Sequence, residues 1–283
     1  MRAFFRTVFR RPTSAFGASV VLLFIILAFF GPIIAPYSYN EQIYSEAREP
    51  PSQRHVFGTD HLGRDVFSRV IVGARSIFVI AGGGTAIAVG LGTIVGLIAG
   101  YRGGWLDETI MRLFDALLAL PALLLALLLL GTLRSAFGEN VSAIGRGLGV
   151  FAILVVVYTP IVSRVVRSVV LSVKTKGFVD AARTQGESQA RILFREILPS
   201  VLPALAVEAA LRFSYAIFLT ASLGFLGVGV QPPNPDWGLM VAEGREKFSQ
   251  VPWAMYFPAG TISLLVVSVN LMAEGVKRAI QGE

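Results

Sequence analysis

The sequence predicts an all-α integral membrane protein with six transmembrane helices, and three observations carry that expectation. Hydrophobic residues fill 54% of the 283 positions and charged residues only 15%, far from the balance of a soluble domain. Six apolar stretches approach or exceed the roughly 17–25 residues a helix needs to cross a bilayer. Basic residues gather on one predicted side: Arg2, Arg6, Arg10 and Arg11 precede the first stretch, and seven basic against three acidic residues occupy Arg164 to Glu196. That distribution is the positive-inside pattern. The net charge of +7 therefore describes a topology, and no nucleic-acid partner is expected. With no cysteine there is no disulfide or thiolate chemistry, and His55 and His61 share one polar loop that does not suggest a metal site.

The first span is expected within Ala15 to Ile34, as a retained helix: Pro12 to Asn40 contains no charge, which is long for a signal core, and lacks a clear cleavage site. Its far end then faces outward. The loop from Pro36 to Arg75 mixes five basic with five acidic residues and contains Pro50-Pro51, so only part of it is expected to be ordered. Within it a helix start at Thr59 or Asp60, followed by Val66, Phe67, Val70 and Ile71 at helical spacing, predicts an amphipathic helix lying at the membrane surface. Asp65 and Arg69 are four apart and can pair on one face.

The second span lies between Arg75 and Arg102, where Gly92, Gly96 and Gly100 stand four apart and predict close packing against another helix. The glycines do not make a nucleotide-binding loop, because none of the four lysines follows a glycine. Tyr101 to Asp115 reads as a short inward loop. The third span, Ala116 to about Leu133, is kinked at Pro121, and an outward loop with Gly138 and Gly145 follows. The fourth runs from about Gly147 to Ser163 and delivers Arg164 and Arg167 inward. The fifth begins near Val201 and carries Glu208 and Arg212 at an i,i+4 spacing, either a functional ion pair or a wet structural one near the inner end. The outward loop Gln231 to Pro252 offers either a docking surface or an interfacial anchor, with Trp237 and Trp253 at the lipid headgroups. The sixth span is expected at about Ala254 to Ala273.

Between the fourth and fifth spans lies GFVDAARTQGESQARILFREILP, Gly177 to Pro199, the longest polar interval of the second half. Asp180 suits a first helical turn, Gly186 a bend, and Ile192, Leu193 and Ile197 a second amphipathic helix closing at Pro199. The result is a compact knob in which Ala181 and Ala182 allow a partner to approach. An ordinary loop joining two spans is the plainer reading.

These residues resemble the cytoplasmic EAA loop of ABC-importer permeases, through Asp180, Ala181, Ala182, Gly186, Ile197, Leu198 and Pro199. Phe178 and Arg191 belong to the same candidate coupling surface. Phe57 to Asp60, Leu62 to Asp65, Ser68-Arg69 and Gly73 to Arg75 resemble the FGTD, LGRD, SR and GAR pattern of the dipeptide, oligopeptide and nickel branch, C-type subunit; Thr59, Asp60, Gly63, Arg64 and Asp65 are its motif residues here. Ser222, Gly224, Phe225, Gln231, Pro232, Pro233, Trp237 and Gly238 extend the likeness. Asp180 stands where Glu is usual, and Thr220 is neutral where many relatives are acidic.

The resemblance implies a type I importer permease fold with a cytoplasmic coupling helix: residues 1–75 as tail, first span, external loop and interfacial helix, 76–274 as permease core with the coupling loop at 177–199, and 275–283 as a cytoplasmic tail. It implies a multi-pass protein of a bacterial or archaeal cell membrane with both termini cytoplasmic, and no enzyme. Implied partners are a homologous permease subunit, two cytoplasmic ATPase subunits that bind the ATP and Mg, and an extracytoplasmic solute-binding protein. Glu208, Arg212, Ser222 and Phe225 become candidates for the pathway. Peptide is the expected cargo; a nickel chelate, glutathione or a sugar conjugate is the alternative, and a stand-alone secondary carrier is a competing class.

Overall fold

A computed structural model of the chain describes residues 11–137 and 143–281, and the described residues contain helices and connections but no strand. The arginine-rich tail through Arg10 and Gly138 lie outside them. The helices are α1 (Pro12–Ile34), α2 (Val66–Ile77), α3 (Gly83–Arg102), α4 (Gly104–Leu118), α5 (Ala122–Phe137), α6 (Ala143–Val173), α7 (Gly177–Thr184), α8 (Leu198–Phe225), α9 (Trp237–Glu246) and α10 (Trp253–Gln281). Five helices are long and apolar enough to cross a membrane, and α4 with α5 supplies a sixth crossing when that bent pair is counted as one.

The tightest helix pair is the one the glycine spacing predicts. A methyl group added at Gly92, Gly96 or Gly100 would lie 2.7–2.9 Å from Val162, Val166 or Val170 of α6, and at Gly96 also 2.5 Å from the Ser163 carbonyl. Nothing but hydrogen fits there. Gly17 of α1 makes the same kind of approach to Ser268 and Leu271 of α10, so the described start and end of the chain lie at one end of the molecule.

Five expectations are corrected. The helix expected to start at Thr59 or Asp60 and lie on the membrane surface instead starts at Val66 and runs through a π turn at Phe78–Gly82 into α3, making one 37-residue helix. Asp65 is its N-cap, accepting from Ser68 N at 2.7 Å, so that carboxylate is not free to pair with Arg69. The inward loop Tyr101 to Asp115 is mostly the helix α4, whose Asp107 holds Arg167 of α6 at 2.5 and 2.6 Å. At Pro121 the third span does not merely kink: α4 and α5 meet at 89°. Proline removes a helical donor and clashes with the preceding turn, which favours a break at this point. Finally, the second helix of the polar interval does not close at Pro199. Gln189 to Phe225 forms one helical rod, and Pro199 is accommodated inside it directly after a π turn at Ile192–Ile197.

Candidate functional site

Two polar ends and one groove hold the candidate residues. At the end marked by Arg102, Arg167 and Lys174, α7 lies against the ends of α3 and α6. Val179 and Ala182 are buried there with Leu97, Val166, Val170, Ile192 and Ile197. Lys174 Nζ donates to the Gly100 carbonyl at 2.8 Å, and the Arg183 guanidinium sits 5.1 Å over the Tyr101 ring. The helix ends in a Schellman turn: Glu187 N donates to Ala182 O at 3.1 Å and Gly186 N to Arg183 O at 2.9 Å, with Gly186 at φ +75°. Ser188 then caps the next turn from its side chain.

The unit is therefore one-sided. Ala182 and Ile197 face inward and belong to the chain's own core, whereas Phe178, Asp180, Ala181, Gly186, Arg191 and Pro199 are exposed and Leu198 is half-buried. The expectation that both alanines admit a partner is corrected to Ala181 alone, because Ala182, turned about 100° around the helix, is buried in the chain's own core. Phe194, 55% exposed, extends the outer face.

At the opposite end, the segment expected to be partly ordered is a bonded polar cluster. Thr59 Oγ1 donates to Glu46 O at 2.5 Å and accepts from Glu49 N at 2.8 Å. Asp60 Oδ2 accepts from Arg64 Nε at 2.5 Å and Arg69 Nη1 at 2.8 Å, while Arg64 Nη2 reaches Glu243 of α9 at 2.7 Å. Gly63, at φ +75°, has Ile43 O only 2.1 Å from where a β-carbon would stand. His55, 2% exposed, lies between Asp65 at 2.8 Å and Glu46 at 3.2 Å. All five motif residues thus meet in one cluster that ties the first long loop to α9.

His55 and Glu243 were missed as members, and Arg69, expected to pair with Asp65, pairs with Asp60 instead. The signal available was the balance of five acids against five bases in a loop, which favours internal pairing over solvation. Trp237, expected at the headgroups, is wholly buried: its Nε1 donates to Val70 O at 2.9 Å and its ring meets Phe24 edge-on. Gly73 makes room for that indole. Trp253 is half-buried and donates to Thr59 O at 2.8 Å. Asp236 caps α9 through Leu239 N at 2.9 Å, and its burial pushes the carboxyl up to about 6.

The four pathway candidates lie along one face of α8. Glu208 and Arg212 pair at 2.8 Å, with Arg212 midway along the helix rather than near its inner end. Ser222 and Phe225 line an open groove of about 360 Å³ with Phe218 and Leu123. A second groove of about 290 Å³ shares Leu123, Phe218 and Ser222 and reaches Arg212. The structure thus joins Arg212, Ser222 and Phe225 along one continuous surface, with Glu208 behind Arg212.

Nothing in this geometry assembles an acid, a base and a nucleophile, and among the described residues no group of carboxylates and histidines has metal-holding geometry. What the structure holds instead is a helical body with a polar clasp at one end, a lateral groove and a one-sided knob at the other end. Comparison with known proteins supplies the family. Residues 92–282 match the model of the binding-protein-dependent transport system inner membrane component, and residues 1–51 match that of the N-terminal transmembrane domain of oligopeptide transport permease C. The chain is 37% identical over 279 residues to a dipeptide transport system permease protein of Alkalihalophilus pseudofirmus, covering 99% of this chain and 88% of the relative. It is 36% identical over 282 residues to a glutathione transport system permease protein of Pectobacterium atrosepticum, covering 99% and 90%. An oligopeptide transport system permease protein of Bacillus subtilis is 35% identical over 267 residues, covering 93% and 83%. The chain belongs to the family of inner-membrane permease components of binding-protein-dependent transport systems, the multi-pass permease subunits of ABC importers.

Proposed function

We propose that this chain is the C-type permease of an importer for dipeptides or oligopeptides, forming half of the translocation pathway beside a homologous permease subunit. Two cytoplasmic ATPase subunits, which carry the ATP and Mg²⁺, drive it, and an extracytoplasmic binding protein delivers the solute. Both termini and the knob at 177–199 are cytoplasmic in this reading. The observation that supports it best is the one-sided knob. Its inner face, Val179, Ala182, Ile192 and Ile197, is locked to α3 and α6, and its outer face, Phe178, Asp180, Ala181 and Arg191, is left for a partner.

Such a seat transmits force. When the ATPase pair closes on ATP, a push on Ala181 and Phe178 moves α7, and the rod from Gln189 to Phe225 carries the displacement directly into the groove-lining face. The groove then opens outward; hydrolysis and release of the ATPase pair reset it. The clasp of Asp60, Arg64, Arg69 and Glu243 holds the opposite end as a rigid surface for the binding protein.

Glutathione is the second reading for the cargo, favoured by the 36% identity to a glutathione system permease. The test is purification of the intact complex with its binding protein and identification of the solute held. ATP-dependent uptake of a bound peptide into proteoliposomes is the expected result. Uptake by this chain alone, without ATPase subunits, would overturn the reading in favour of a secondary carrier.

A further inference from the structure

We infer that Arg212 is a docking point for the carboxylate of the transported solute. The inference rests on the peptide reading above and specifies the chemistry of its pathway. Among the described residues, Arg212 is the single charged one lining the two joined grooves, on walls otherwise formed by groups such as Leu123, Phe218 and Ile161. A guanidinium midway along a membrane helix is costly and needs a reason. Structural pairing alone supplies part of one: Glu208, one turn earlier, contacts Nε at 2.8 Å.

Glu208 does not line the groove, however, and Arg212 does. Among the described residues, Glu208 is the one ionic partner of the guanidinium, and its 2.8 Å approach to Nε lacks hydrogen-bond geometry. An arginine carries five N–H donors in a planar fork, so after the Nε contact the Nη edge remains for a second carboxylate. The plane of that fork is held by two rings, Tyr215 at 4.9 Å and Tyr158 at 5.9 Å. Tyr158 is buried and Tyr215 is 55% exposed, so one ring anchors the group and the other flanks its open side. At the other limit of the groove, Arg245 stacks over Phe225 at 5.0 Å, so the apolar path has a cation toward each end.

Dipeptides, oligopeptides and glutathione all end in a free carboxylate, the one anion common to them. Glu208 also loosens the grip. By cancelling the net charge, it leaves Arg212 attractive enough to receive a carboxylate and weak enough to release it, which any transport path requires.

The test uses the intact complex with its binding protein in proteoliposomes. ATP-driven uptake of radiolabelled alanyl-phenylalanine and of its C-terminal amide is measured, each rate normalised to the amount loaded on the binding protein. Assembly of each variant is checked by co-purification of the ATPase subunits. The wild type is expected to carry the acid about tenfold faster than the amide, the discrimination of one charge-assisted hydrogen bond at a partly hydrated site. R212Q and the double variant R212Q/E208Q are expected to carry the two at equal rates. A pair with only a structural role makes the opposite prediction, that the uncharged double variant regains wild-type discrimination; that result would overturn the inference. So would equal rates in the wild type, a measurement that needs no variant to fold. A wild-type complex that carries neither form refutes the peptide reading itself, a result distinguishable from equal transport of both.

Discussion

Replacing Gly186 with valine tests the knob without touching its outer face. Nothing lies within 4 Å of where a β-carbon would stand, so the substitution introduces no clash. The backbone is the whole problem: φ is +75°, and a left-handed conformation costs an ordinary residue about 1–2 kcal/mol, most for a β-branched one. Relieving that strain means giving up the two bonds of the Schellman turn, Glu187 N to Ala182 O and Gly186 N to Arg183 O. The angle between α7 and the rod that starts at Gln189 would then vary. An energy of that size changes a two-state ratio by roughly 5- to 30-fold, so ATP hydrolysed per solute imported should rise by about tenfold in G186V. G186N should stay near wild type, because asparagine tolerates the left-handed region, and G186A should fall between. Paired measurement of ATPase activity and uptake in proteoliposomes reads the ratio. Equal coupling in G186V and wild type, or G186N worse than G186V, would refute the reasoning, the latter because side-chain size would matter more than φ.

Three further outcomes follow from the packing and the polar clasp. G96A should destabilise the α3 and α6 pair by about 1–3 kcal/mol through its approach to the Ser163 carbonyl; G90A, with open space around it, should not, and thermal melts in detergent compare them. R64M leaves Glu243 only its longer 3.5 Å contact with Arg69 and removes one of two cations from Asp60, so it should cost about 3 kcal/mol, with a double-mutant cycle against E243Q showing strong coupling. Asp236 is held near 6 against 3.8 when exposed, so the folded chain binds that proton more tightly than the unfolded one. Its contribution to stability is therefore full below pH 4 and is lost as pH rises through 6, by up to about 3 kcal/mol. D236N keeps the acceptor for Leu239 N and should abolish that part of the pH dependence in melting curves.

How legible the protein was in its sequence depended on how local the cause was. Gly92, Gly96 and Gly100 repeat at the helix period, and they meet α6 as that period requires. Gly186 carries its turn chemistry in its lack of a β-carbon, which lets it take a positive φ, so the bend was readable. What escaped were choices between competing partners. Asp65 could pair with Arg69 or cap a helix, and the nearer N–H of Ser68 together with His55 won. Trp237 suits a headgroup layer, but Gly73 leaves an indole-sized space and Val70 an acceptor carbonyl, neither visible until two distant segments meet. Pro121 announces a disturbance without giving its angle. Likewise, that Arg212 faces a groove while Glu208 stands behind it depends on where α5 and α6 pack, which the four-residue spacing of the pair does not encode.

The central claim is that partner subunits move this chain through the face of 177–199 that it leaves uncovered, at the cytoplasmic side. The sequence has no cysteine, so a single one placed at Ala181 reports without background. A membrane-impermeant maleimide should label it in inside-out vesicles and not in intact cells, and bound ATPase subunits should protect it. Labelling of that position from the cell exterior would contradict the account.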